Sequence, residues 1–148
     1  QLVWDYGTGL VKFDTPCAQG ATGFLKKGGT LKLNDVTIRS TDEYGSVAVV
    51  SMDGKPLKTS SRLLIQVMTE DANYGWKTTG GDVKRIASLG GPPIVVRKIA
   101  GSISLHRADS GTLRVTALDF NGRRKRTLPG SARRIGLLED CLYYVIEK

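Results

Sequence analysis

Short apolar runs follow one another along the whole chain, punctuated by Asp-Gly, Asn-Gly and Thr-Gly turn signals, and none gives way to a sustained helical periodicity. That pattern predicts an all-β fold. Strand candidates are 2–6, 10–13, 21–25, 30–33, 36–40, 46–51, 62–69, 94–98, 102–106 and 112–118, with a last pair at 134–137 and 142–146. Their regular spacing is that of an antiparallel β-sandwich, jelly-roll-like, over a single domain of residues 1–148. A 40% hydrophobic content suffices for one core without an obligatory metal or disulfide.

Periodicity also assigns faces. In Ser102-Ile103-Ser104-Leu105-His106 the alternation points Ile103 and Leu105 inward and His106 to solvent. Val47-Ala48-Val49-Val50 and Leu63-Leu64-Ile65-Gln66-Val67-Met68 are apolar on both sides, as in central strands or strands covered by a neighbouring domain. Hairpins are predicted at 107–111 and at Asn121-Gly122. The stretch Asn73 to Pro93, with five glycines and no periodicity, reads as a large loop or a loosely paired edge excursion. No run approaches the roughly 20 apolar residues that cross a bilayer, so no membrane partner is expected. The opening at Gln1, straight into a strand-like run, is expected of a piece excised from a longer protein.

The sequence offers little for catalysis. There is one histidine, and no nucleophile elbow, phosphate loop, zinc motif or dinucleotide fingerprint, so no enzyme site is expected. A glycosidase needs two opposed carboxyl groups, whereas Asp14, Asp53 and Asp119 sit in turn contexts where a carboxylate caps backbone N–H groups. No cofactor is expected. A structural Ca²⁺ is the one metal considered, with Asp42-Glu43 and Glu70-Asp71 as its acidic candidates. Cys17 and Cys141 are read either as two separate buried thiols or as a bridge, which in the loop-entropy account contributes roughly 4 to 5 kcal/mol.

Binding residues are easier to nominate. A sugar ring presents an apolar C–H face that stacks on a flat aromatic, with polar side chains taking its hydroxyls. Tyr74 and Trp76 share a face by i, i+2 spacing if their segment is extended, with Asn73, Lys77 and Asp71 beside them as hydrogen-bonding groups. Trp4 lies in an opening strand and is expected to pack inside. The net charge of +8 is concentrated at Arg123, Arg124, Lys125 and Arg126, followed by Arg133-Arg134. Such a patch attracts polyanions, and arginine pairs in bidentate fashion with carboxylate or sulfate. Nucleic acid is the less favoured polyanion, because no aromatic RNA-binding motif, zinc finger or helix-turn-helix pattern accompanies the charge.

Three strings carry a resemblance: Asp14-Thr15-Pro16-Cys17-Ala18-Gln19-Gly20 running to Gly23-Phe24, Ser51-Met52-Asp53-Gly54-Lys55-Pro56-Leu57, and Ala117-Leu118-Asp119-Phe120-Asn121-Gly122-Arg123-Arg124. In order, they resemble DTPRTQG..GF, SLDGKPL and LDxNGRR of the β-sandwich accessory domain that follows the catalytic domain in certain large bacterial glycoside hydrolases. Trp4-Asp5, Asn73 to Trp76, Gly91-Pro92-Pro93 and Tyr143-Tyr144 extend the likeness over most of the chain. Where that family has Arg after Thr-Pro this chain has Cys17, so no role for the arginine carries over. The resemblance implies a carbohydrate-binding module of a secreted or cell-surface bacterial protein, with polysaccharide and its own catalytic domain as partners. It supplies no catalytic residue. The alternatives are a structural domain packed on that catalytic domain and a general polyanion binder.

Overall fold

The computed structural model describes residues 1–148 as an all-β protein. In chain order the elements are β1 (Leu2–Asp5), β2 (Leu10–Asp14), β3 (Ala18–Gly23), the short helix α1 (Leu25–Gly28), β4 (Thr30–Lys32), β5 (Val36–Ser40), β6 (Gly45–Ser51) and β7 (Arg62–Thr69). They continue with β8 (Asp71–Tyr74), β9 (Lys77–Thr79), β10 (Arg85–Ser88), β11 (Gly91–Val96), β12 (Gly101–Leu105), β13 (Arg114–Leu118), β14 (Arg124–Thr127), β15 (Ile135–Gly136) and β16 (Tyr143–Glu147). An eight-stranded antiparallel sheet runs β1-β2-β3-β6-β7-β16-β13-β14, and a smaller one runs β15-β12-β5-β4.

Both sheets feed one apolar cluster of 24 buried residues, consistent with a β-sandwich-like single domain. The large sheet contributes Val47, Val49, Leu63, Ile65, Val67, Val115 and Tyr144, and the small one Val36, Ile38, Ile103, Leu105 and Ile135. β6 and β7 are the two middle strands of the large sheet, as their two-sided apolar pattern predicts. Their second face carries Val50, Leu64 and Met68, all half-buried. His106 is exposed, and its Nε2 lies 2.6 Å from the Thr37 hydroxyl.

Two expectations are corrected, and a third is decided between its alternatives. Residues 107–111 do not form a hairpin: a 3-10 turn at Ala108–Gly111 carries the chain from β12 in the small sheet to β13 in the large one. The stretch after Asn73 is the paired excursion and not the loop, since β8 pairs with β11 and β9 with β10, making one antiparallel arm over 71–96. Its glycines obscure it in sequence, because they serve the bend between the two ladders. A Cβ on Gly90, at φ 63°, would fall 2.3 Å from the Tyr74 carbonyl oxygen and 2.7 Å from the Trp76 nitrogen. Trp4 does not enter the core. It is 62% exposed and stacks on Tyr6 with ring centroids 4.5 Å apart. The edge position of β1 leaves nothing to cover it.

Candidate functional site

The arm springs from the end of β7 and is fastened at its root. The Thr69 hydroxyl donates to the Arg97 carbonyl at 2.6 Å, and Arg97 pairs with Glu70 at 2.7 Å. Beyond that root it shares no buried core, and Tyr74, Trp76, Val83, Ile86, Leu89 and Ile94 all stand exposed along it. Gly75, at φ 79°, and the Trp76 N–H donating back to the Asn73 carbonyl at 3.0 Å turn the chain, so Tyr74 and Trp76 are not consecutive same-face residues of one strand. Trp76, 40% exposed, instead lines a shallow cavity of about 210 Å³ with Asp71, Ala72, Asn73 and Ile94. Asn73 is steadied there by donating its amide to the Leu89 carbonyl at 3.0 Å. Tyr74 and Lys77 lie outside this cavity.

The basic run is divided by the sheet. β14 pairs with β13 at Leu118–Arg124, Ala117–Arg126 and Thr116–Thr127, so Lys125 is an extra residue in a β-bulge. Leu118 faces away from the core and Ala117 into it. The bulge therefore sends Arg124 to the outer face, into a hollow with Arg62, Thr116, Leu118 and Glu147. Arg126 goes to the core side, where it lines a cavity of about 290 Å³. Lys125 is taken by Asp140 at 2.6 Å, and that ammonium holds the Asp140 carboxyl below its usual range. Arg123 belongs to the turn, its N–H donating to Asp119 Oδ1 at 2.8 Å.

Arg134, on the segment entering β15 of the small sheet, lines the same cavity as Arg126. Arg134 also lines a polar groove of about 590 Å³ with Lys26, Thr30, Arg39, Ser40 and Ser102. The sequence places Arg134 within the charge run but does not show it sharing a cavity with Arg126, because the two approach from different sheets.

No family model, curated protein or solved structure matches this chain.

The resemblance therefore rests on its strings, and the structure gives those residues scaffold work. Asp14 accepts from the Asn34 backbone N–H and side-chain amide. Gly20 lies under the Phe13 ring, where a Cβ would meet Phe13 Cζ at 2.4 Å. Asp53 accepts from the hydroxyls of Ser51, Ser60 and Ser61 and from the Ser61 and Lys55 N–H groups, and these bonds drive its carboxyl far below the ordinary range. Asp119 caps its turn through the Asn121 and Arg123 N–H groups.

Three of the four calcium candidates have other partners. Glu43 pairs with Lys26 and Glu70 with Arg97, while Asp42 accepts from the Ser40 hydroxyl and the Ala100 N–H. No group of three Asp, Glu, His or Cys side chains is placed to hold a metal ion. Both cysteines are free thiols: Cys141 is buried against the carbonyls of Leu118 and Tyr143, and Cys17 is half-buried.

Proposed function

We propose that the chain is a noncatalytic carbohydrate-binding module that targets an appended glycoside hydrolase to polysaccharide. The observation that carries this reading is Trp76, an exposed indole beside the carboxylate of Asp71 and the fixed amide of Asn73 in one shallow cavity. A sugar ring needs that combination, an apolar plate with hydrogen-bonding groups at its edge. Arg39, Arg126 and Arg134, which have no acid partner, add a preference for acidic chains. A secreted bacterial setting follows from the resemblance. The test is quenching of tryptophan fluorescence by soluble polysaccharides. Quenching by a glycan that disappears in Trp76→Ala supports the module, and quenching that survives in that variant refutes the assignment of Trp76.

A second reading is favoured by one specific surface. Alternation along β1, β2, β6 and β7 places Trp4, Val11, Phe13, Val50, Leu64 and Met68 on the large sheet's face away from the core. An apolar sheet face of this kind suits packing against a neighbouring domain. A structural accessory domain of that type would self-associate when isolated and bind no glycan.

A further inference from the structure

We propose that the cavity between β14 and β15 is a subsite for one anionic sugar unit, its carboxylate or sulfate held by Arg126 and Arg134, with neighbouring units lying in the polar groove across the small sheet. This deepens the carbohydrate-binding reading and rests on it. The cavity, about 290 Å³, falls just below the roughly 300 Å³ at which sites for drug-sized ligands begin, and suits a single ring. Its lining combines four apolar side chains, Val115, Leu128, Ile135 and Leu138, with the polar Arg126, Arg134 and Ser131. A pyranose ring has the same division, with C–H groups on a face and charge on a substituent.

The two guanidiniums have no acid partner, and they are the two unpaired arginines that line this one cavity. Arg62, Arg97, Arg107 and Arg114 each pair with a carboxylate, as does Lys125 beside Arg126. No carboxylate lies within ion-pair distance of Arg126 or Arg134. Two like charges brought to one cavity from different sheets repel, and an anion between them removes that cost while accepting paired N–H donors from each. The bulge at Lys125 is what aims Arg126 inward.

The groove extends the site. It shares Arg134 and Gly136 with the cavity and has no hydrophobic side chain in its lining. Thr30, Ser40, Thr41 and Ser102 supply hydroxyls, and Arg39 another guanidinium without an acid partner. No aromatic side chain lines either space, so the recognition here rests on charge, hydroxyls and aliphatic contact and offers no stacking platform for nucleobases.

The experiment titrates the ¹⁵N-labelled chain with trigalacturonate, its methyl ester, dextran sulfate and plain dextran, following amide shifts by NMR. Saturable shifts over residues 126–138 are expected with an acidic probe and none with the methyl ester or plain dextran. The trigalacturonate and dextran sulfate arms tell carboxylate from sulfate. Arg126→Gln and Arg134→Gln are each expected to weaken binding by about tenfold or more, the range for hydrogen bonds to charged groups, while Arg123→Gln leaves it unchanged. Should either glutamine variant misfold, the acid-against-ester comparison on the unaltered chain still decides. The proposal is overturned if Arg123→Gln weakens binding as much as Arg134→Gln, or if no acidic probe shifts residues 126–138. Binding of acidic and neutral probes alike, with shifts confined to the Trp76 arm and lost in Trp76→Ala, overturns the subsite and leaves the module reading standing. An absence of any glycan binding removes both.

Discussion

Gln19 and Asp35 clasp each other across the two sheets: Gln19 Nε2 donates to Asp35 Oδ2 at 2.9 Å, and the Asp35 N–H donates to Gln19 Oε1 at 2.8 Å. Gln19 is on β3 of the large sheet, and Asp35 is in the turn between β4 and β5 of the small one. Both are buried, so each satisfies polar groups that water does not reach. Gln19→Ala leaves the Asp35 N–H and one carboxylate oxygen unpaired, and is expected to cost about 2–3 kcal/mol in urea unfolding. Gln19→Glu sets a second carboxylate against Asp35 and should cost at least as much.

Arg107 makes a second buried tie. Its guanidinium, 4% exposed, donates to the Leu57 carbonyl at 2.7 Å, the Ser60 carbonyl at 2.9 Å and the Asp109 carboxylate. Those bonds, with Lys148 nearby, hold the Asp109 pKa at about 2 against an ordinary 3.8. A depressed folded-state pKa stabilises the fold above the unfolded value and loses that contribution as pH falls through the folded one. Unfolding midpoints should therefore drop between pH 4 and pH 2, and Asp109→Asn should flatten that part of the profile. Arg107→Ala leaves two carbonyls and a carboxylate without their donor and is expected to cost about 3–5 kcal/mol.

Tyr144 governs the rim of the proposed anion subsite. Its hydroxyl accepts the Leu138 N–H at 2.7 Å and lies 3.4 Å from the Cys141 carbonyl, while burial pushes its pKa up. Leu138 lines the cavity, and Asp140 in the same loop holds Lys125. Tyr144→Phe should cost about 1–2 kcal/mol. It should also speed amide exchange at Leu138 beyond what that global loss explains.

Gly90→Ala separates the arm from the core. The new Cβ has no room against Tyr74 and Trp76, so the bend must open. The arm adds nothing to the buried cluster apart from Val96 packed against it at its root. Global stability is therefore expected to change by less than about 1 kcal/mol, while the Trp76 emission spectrum and amide exchange over 71–96 change.

How much of this was legible in the sequence follows from what each signal reports. Val36–Ser40 and Arg62–Thr69 were read to the residue, the first from apolar alternation and the second from a continuous apolar run, because both are local properties and the core simply agrees with them. The arm was not, since Gly75, Gly80 and Gly90 interrupt its ladders and its apolar residues lack a buried face to impose a period. Trp4 was misplaced because its type predicts burial while its strand sits at a sheet edge. Arg126 was nominated, yet its separation from Arg124 depends on one bulged residue, and its approach to Arg134 depends on how two sheets meet. Neither is a pattern along the chain.

The most direct test is affinity electrophoresis of the unaltered chain through gels carrying neutral, uronic or sulfated polysaccharide, at low and high salt, with DNA as a separate polyanion. The account predicts retardation by one glycan class, strongest for an acidic one and retained in part at high salt. Equal retardation by every polyanion, DNA included, that vanishes at high salt would contradict it, as would free migration through every glycan.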